Sequence, residues 1–221
     1  MSKIPFLVLK RVAFTFFGVV LALSLLAGCG DDDDFLDNYR FDLCELVTDS
    51  QGRLTELRFD DGRHLTPTKG YNSLAPDSVY RVLAVYVPTS DGKAEIAQLG
   101  AVISPRPLVF ERQPVVTDPV RVLTAWRSPR YFNLRVAIGR STLQKHIFGF
   151  AEEGIEKLDN GTRRLRLRLY HDRNGDAAHY DEETYLSCPT YPYADRLTRG
   201  VDSVVMVVHT PEGEQRFSAL F

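Results

Sequence analysis

Val79-Tyr80-Arg81-Val82-Leu83-Ala84-Val85-Tyr86-Val87 is the stretch on which the fold turns. It is rich in β-branched and aromatic residues, which suit a pleated, partly buried strand. Side chains of a strand alternate between its two faces. Tyr80, Val82, Ala84 and Tyr86 then share one face, and Val79, Arg81, Leu83, Val85 and Val87 share the other. Arg81 is the only charge. Both faces are therefore expected to be covered, as in the middle of a barrel or sheet.

Similar segments lie on either side. Tyr39–Thr48, Arg53–Phe59 and Arg63–Thr66 precede it, and Lys93–Ile103 follows. The turns between them carry Asp49-Ser50-Gln51-Gly52, Asp60-Asp61-Gly62 and Thr89-Ser90-Asp91-Gly92, residue types that tolerate positive φ. Five short strands over residues 39–107 fit a small closed barrel of the OB type. Ser104-Pro105-Arg106-Pro107 breaks the pattern, and residues 108–119 read as a linker. Residues 120–221 then carry about seven more strands, near Val120–Ala125, Tyr131–Gly139, Gln144–Phe150, Arg164–Tyr170, Thr184–Cys188, Ser203–His209 and Gln215–Leu220. That density predicts a β-sandwich. Glu152–Leu158 has room for a helical turn or two. The expected fold class is all-β, an OB-like barrel followed by a β-sandwich.

The N-terminus has a different character. Lys3, Lys10 and Arg11 precede an apolar run from Val12 to Ala27, which ends in small residues. That order is a secretory signal, and the run is short for a spanning helix. Leu26-Ala27-Gly28-Cys29 resembles the bacterial lipobox. The resemblance implies that residues 1–28 are a cleaved lipoprotein signal peptide and that Cys29 is the lipidation site, carrying thioether-linked diacylglycerol and an N-acyl chain such as palmitate. Two or three chains make attachment to the lipid bilayer durable. Residues 29–38 form an acidic tether. By resemblance to lipoprotein sorting, Gly30 after the cysteine directs the chain to the outer membrane. The Asp31–Asp34 run looks like a signal for display on the cell surface rather than the periplasmic face.

The formal charge is −2, and loss of Lys3, Lys10 and Arg11 with the leader makes it −5. No basic excess points to nucleic acid. After lipidation two cysteines remain, Cys44 and Cys188, expected as small buried hydrophobes with a disulfide as the alternative.

The sharpest candidate for chemistry is Asp172-Arg173-Asn174-Gly175-Asp176-Ala177. Asp172, Asn174 and Asp176 occupy positions 1, 3 and 5 of a calcium loop, and Glu183 falls at position 12. Ala177 stands where the loop needs glycine, and strand-like flanks replace helices. A hairpin turn built on Asn174-Gly175 is the plainer reading. Arg164, Arg166 and Arg168 alternate with Leu165, Leu167 and Leu169, which predicts a solvated face with acidic cross-strand partners; an anionic glycan or headgroup site is the alternative. His171 and His179 flank one loop and have the reach to meet. His64, His146 and His209 complete the set, without zinc-site spacing. No catalytic residue is identified, and no GxSxG, P-loop or GxGxxG motif is present. Trp126 is expected in the core.

Several segments together carry a resemblance. They are Asp118-Pro119-Val120, Trp126-Arg127-Ser128, Tyr131-Phe132-Asn133-Leu134, Lys145-His146, His171-Asp172-Arg173-Asn174-Gly175-Asp176 and the Val204–Val208 strand. With the lipobox and aspartate run, the chain resembles the NigD-like lipoproteins over about Tyr39–Phe221. The resemblance implies an OB-type N-terminal domain and a sandwich-like C-terminal domain, and brings no catalytic residue or cofactor with it. Asp172 stands where the family usually has asparagine. The expectation is a non-enzymatic interaction module of the cell envelope. Its partner would be an envelope protein, a peptide or a glycan; the alternatives are a glycan- or peptide-binding surface protein and a bacteriocin-associated immunity or accessory protein.

Overall fold

The structure, a computed structural model, describes residues 38–111, 114–141 and 145–221. The leader, Cys29 and nearly all of the acidic tether lie outside the described residues. So does Gln144, the expected start of one strand.

The first five strands are β1 (Arg40–Thr48), β2 (Leu54–Phe59), β3 (His64–Pro67), β4 (Val79–Pro88) and β5 (Lys93–Ala101). They close into a barrel in the order β1-β2-β3-β5-β4. β3 and β5 run parallel, and the other pairs are antiparallel. This is the expected OB-like barrel. Its interior holds Cys44 and Leu46 from β1, Leu57 and Phe59 from β2, Val82, Ala84 and Tyr86 from β4, and Ala94 from β5. The β1–β2 turn needs glycine. Gly52 has φ +72°, and a Cβ there would sit 2.2 Å from the Leu74 carbonyl oxygen. That close approach lets the Leu74 amide donate to the Gly52 carbonyl and brings the 71–78 loop over the barrel end.

The second half comprises β6 (Arg121–Arg127), β7 (Tyr131–Arg140), β8 (Ile147–Lys157), β9 (Arg163–Asp172), β10 (Tyr180–Pro189), β11 (Ser203–Thr210) and β12 (Gly213–Leu220). One sheet has the order β10-β7-β6 and the other β12-β11-β9-β8. Their facing sides share one core, with Phe132, Leu134 and Val136 from β7 packed with Leu165, Leu167 and Leu169 from β9 and Val204, Met206 and Val208 from β11. This is the expected β-sandwich.

Three details differ from the sequence reading. Glu152–Leu158 forms no helical turn; β8 continues through it to Lys157, paired with Arg163. A bulge between Glu152 and Gly154 absorbs the register shift, with Gly154 at φ +121°. The expected strand Lys93–Ile103 ends at Ala101, and Ile103 crosses to bridge Leu186 of β10. Of the expected linker 108–119, Leu108 bridges Ala151 and Thr117 bridges His171, so both of its described ends lie against the sandwich.

The arginine strand behaves as its alternation predicts. Leu165, Leu167 and Leu169 are buried, while Arg164 pairs with Glu156, Arg166 with Glu153, and Arg168 with Glu153 and Glu214. Cys44 and Cys188 are free and buried, one in each core. Among the described residues no helix is long and apolar enough to cross a membrane.

Candidate functional site: the interdomain cleft

The two halves meet face to face. Alternation along β7 sends Phe132, Leu134 and Val136 into the sandwich core and Tyr131, Asn133 and Arg135 to the opposite side. Cross-strand register adds neighbours on that outer face: Trp126 and Ser187 flank Asn133, and Thr124 and Tyr185 flank Arg135. The barrel answers with the outward residues of β1 and β4. Leu43 lies opposite Leu83, and Glu45 opposite Arg81. The second face of Val79–Val87 is thus covered by the other domain.

Arg81 is the centre of this contact. Its side chain is 2% exposed. Its two terminal nitrogens donate to the two oxygens of Asp60, at 2.8 and 2.5 Å. The Nε donates to Ser187 Oγ and Nη2 also to Asn133 Oδ1, both at 3.2 Å. The guanidinium lies over the Tyr131 ring, 4.1 Å from its centre. Tyr131 in turn donates its hydroxyl to Glu45, which also accepts from Arg130. Burial and the Glu45 carboxylate push the Tyr131 phenol well above its usual range. A buried arginine is tolerable only when paired and hydrogen-bonded, as it is here. Such a network sets the relative position of the domains more surely than it adds stability.

The Asp60-Asp61-Gly62 turn projects between the domains and leaves a hollow on each side. One, of about 390 Å³, has Thr124, Trp126, Arg135 and Tyr185 as its sandwich wall and Phe41, Leu43 and Leu83 among its barrel residues. The other, about 540 Å³, includes Glu45, Arg58, His64 and Arg130. In the first, every carboxylate is already engaged. Asp42 accepts from Arg63 and from the Tyr86 hydroxyl, Asp60 from Arg81, and Asp61 from Arg63. Hydrogen bonds from the Arg63 amide and guanidinium hold Asp61 below its usual pKa, against the opposing effect of burial. Burial and Asp42 raise the Tyr86 phenol to about 12. A larger hollow of about 880 Å³ beside Leu46, Leu74, Val79 and Leu99 is mostly apolar.

A second polar cluster lies inside the sandwich. His171 does not meet His179. Its Nε2 faces His146 Nδ1 at 2.9 Å, and its Nδ1 faces the Asp118 carbonyl at 2.9 Å. His146 Nε2 faces Asp176 Oδ2 at 3.1 Å. Asp176 also accepts from the Ser141 amide and hydroxyl. The outer partners are acceptors, so both outer ring nitrogens donate. The hydrogen between the two rings is shared by His171 Nε2 and His146 Nδ1. The Ser141 hydrogen bonds, then that from His146, lower Asp176 to about 2. Burial pushes His171 below its usual value. Phe148 stacks flat on His171 at 4.5 Å.

The calcium-loop residues are not gathered by the fold. Asp172 ends β9 and accepts from the Asn174 amide, and Asn174 sits at φ +53° in the turn. Asp176 points inward to Ser141 and His146. Glu183 is on β10, bound to Arg135. Among the described residues no three histidine, cysteine or acidic side chains are placed to hold a metal ion. Trp126 is not in the core; it is partly buried and lines the cleft. Sequence reasoning missed the cleft altogether. Its one signal was Arg81, a lone charge in an otherwise apolar strand.

The NigD-like C-terminal beta sandwich domain matches residues 108–220. It therefore takes in the proline-rich segment that lies along β8 and β9. Among solved structures, a NigD-like immunity protein from Bacteroides caccae is 24% identical, with a TM-score of 0.64 over 81% of this chain and 91% of that one. A "Putative TOXIN related protein" from Parabacteroides distasonis is 15% identical, with a TM-score of 0.65 over 83% of this chain and 93% of that one. A "Putative lipoprotein" from Bacteroides fragilis is 14% identical, with a TM-score of 0.58 over 83% and 97%. At these identities the likeness is one of fold. No curated protein matches the sequence. With more than half its length matched by the family's sandwich domain, and with that sandwich present in the structure, the chain belongs to the NigD-like family.

Proposed function

We propose that the protein is an outer-membrane lipoprotein, anchored through acylated Cys29 and facing the cell surface, that acts as a non-enzymatic binding module of the cell envelope. The observation that carries the binding role is the state of the cleft carboxylates. Asp42, Asp60 and Asp61 are each bound to an arginine, so none is poised as an acid, base or nucleophile. What remains is a preformed hollow between two domains held by Arg81, a common place for a ligand. The Leu26–Cys29 run supports the anchor, as does the resemblance in fold to the Bacteroides fragilis protein named as a lipoprotein.

Mass spectrometry of the mature protein tests the anchor. The expected N-terminal residue is Cys29 bearing diacylglycerol, and an intact Met1 or a bare Cys29 overturns it. Protease treatment of intact cells tests the facing, with loss of the chain expected before the outer membrane is opened. A second reading, an immunity protein, draws on the name of the Bacteroides caccae structure. Deletion that raises sensitivity to a bacteriocin from the same strain would favour it.

A further inference from the structure

The hollow beside Trp126 has an unusual balance of groups. Phe41 stands at its rim with 65% of its surface exposed, and Trp126 and Tyr185 line its sandwich wall. The charges present are spent on one another: Asp42 and Asp61 on Arg63, Asp60 on Arg81, and Arg135 on Glu183. The uncharged polar groups are not spent. Among the described residues the Trp126 indole N–H, the Tyr185 hydroxyl and the Thr124 hydroxyl make no hydrogen bond within the protein, and none is a buried unpaired atom, so they face the hollow's solvent. The hollow is thus aromatic on its sandwich wall, carries one carboxylate more than it has arginines, with every carboxylate already hydrogen-bonded, and is open to further hydrogen bonds.

Each ligand class meets that wall differently. An anion would have to take an arginine from its carboxylate against a net negative surround, and a cation would have to displace Arg63 or Arg81, or the Tyr86 hydroxyl, from the carboxylate it bonds. A purely apolar molecule would bury the indole N–H and the phenol without partners, at a cost of about 1–3 kcal/mol each. An extended peptide docks by adding main-chain hydrogen bonds to a sheet edge. Here the wall is a sheet face, and the backbones of Thr124, Arg135 and Tyr185 are paired with one another. A neutral sugar has what the wall lacks. Its C–H face packs on an aromatic ring, and its hydroxyls both donate and accept. At about 390 Å³ the hollow is near the lower end of small-ligand sites and suits one or two sugar units of a longer chain.

We infer that the interdomain cleft binds a neutral saccharide, with Trp126 and Phe41 as its aromatic contacts and Tyr185 and Thr124 bonding its hydroxyls. This rests on reading the protein as a binding module and names the ligand class. Trp126 is the only tryptophan, so its fluorescence reports this site alone. The full lipidated chain in detergent is titrated with tetrasaccharide fragments of α-glucan, β-glucan, β-mannan and chitin. Oligogalacturonate, a sulfated disaccharide and an uncharged octapeptide serve as the contrasting probes.

A saturable change in Trp126 emission with at least one neutral fragment is expected. Phe41→Ser, at an exposed position, should weaken that affinity roughly tenfold, and Tyr185→Phe should weaken it by a similar factor. No saturable response to any neutral fragment overturns the inference. So does a response confined to the charged probes, or an affinity unchanged in both variants. A response to the octapeptide alone overturns the saccharide and leaves the binding module standing. The acylation and protease results above are independent of either outcome.

Discussion

Arg81 of the barrel and Tyr131 of the sandwich are stacked, guanidinium on ring, with 4.1 Å between the guanidinium carbon and the ring centre. The contact joins two domains whose cores are otherwise separate. Removing one member of a buried ion pair costs about 3–5 kcal/mol, because the other charge is left unpaired. Arg81→Met should therefore lower the urea midpoint sharply and expose the 104–118 connection to protease. Arg81→Lys should not rescue it, since a single ammonium cannot serve both Asp60 oxygens and Tyr131 at once. An unchanged midpoint in Arg81→Met would remove the network from the account of domain position.

The histidine cluster makes the fold acid-sensitive. Burial holds the folded pKa of His171 below its unfolded value near 6.5. The folded state thus binds the His171 proton less readily, and the stability from keeping that ring neutral is present above pH 6.5 and lost as pH falls through the lowered value. Asp176 adds a second, more acidic window. Its stabilisation is present above 3.8 and lost as pH falls through about 2. Urea midpoints measured from pH 8 to pH 3 should fall in the first window. In His171→Asn that first fall should shrink, and a profile identical to the parent would count against it.

Burial also governs the thiols. It raises Cys44 to about 12 and pushes Cys188 well above the usual range. Thiolate, the reactive form, is then scarce and inaccessible. The folded protein should show no reaction of either with a disulfide-exchange reagent until denaturant is added, and both should then react. A thiol that does react in the folded, mature chain would be an unacylated Cys29.

Gly52 offers a local test of the barrel. A side chain there meets the Leu74 carbonyl at 2.2 Å, at a φ of +72°. Gly52→Ala should cost about 1–3 kcal/mol by thermal unfolding. Gly161→Ala has positive φ as well, but nothing lies near its Cβ. It should cost less, and equal losses would show that backbone strain alone, not the clash, is responsible.

The periodicity of the sequence determined the strands. Period-two alternation is a property of each segment, so VYRVLAVYV and RRLRLRL could be read without knowing their neighbours. Turn residues with positive φ are equally local, and Gly52, Gly62, Gly92 and Asn174 take it as their context predicts. The Leu26–Cys29 run is an equally local signal, and the cleavage proposed from it would be made by a peptidase acting on extended chain. Pairing between distant residues is a different matter. Arg81 to Asn133 spans 52 residues and His146 to His171 spans 25. Nothing in local composition orders such contacts.

The calcium-loop spacing shows the converse. Four oxygen-bearing residues stood in a suggestive row, and the strand geometry sent Asp176 inward to His146 and Glu183 outward to Arg135. Trp126 followed the same rule: an aromatic on a strand faces whichever side the register dictates, and here register with Asn133 put it in the cleft. Sequence alone determined the strands and turns of both domains, and the expected address, because those signals lie within a few residues of one another. Only tertiary structure decided which face of each strand meets the other domain. That choice is set by the packing of two sheets whose residues are far apart along the chain.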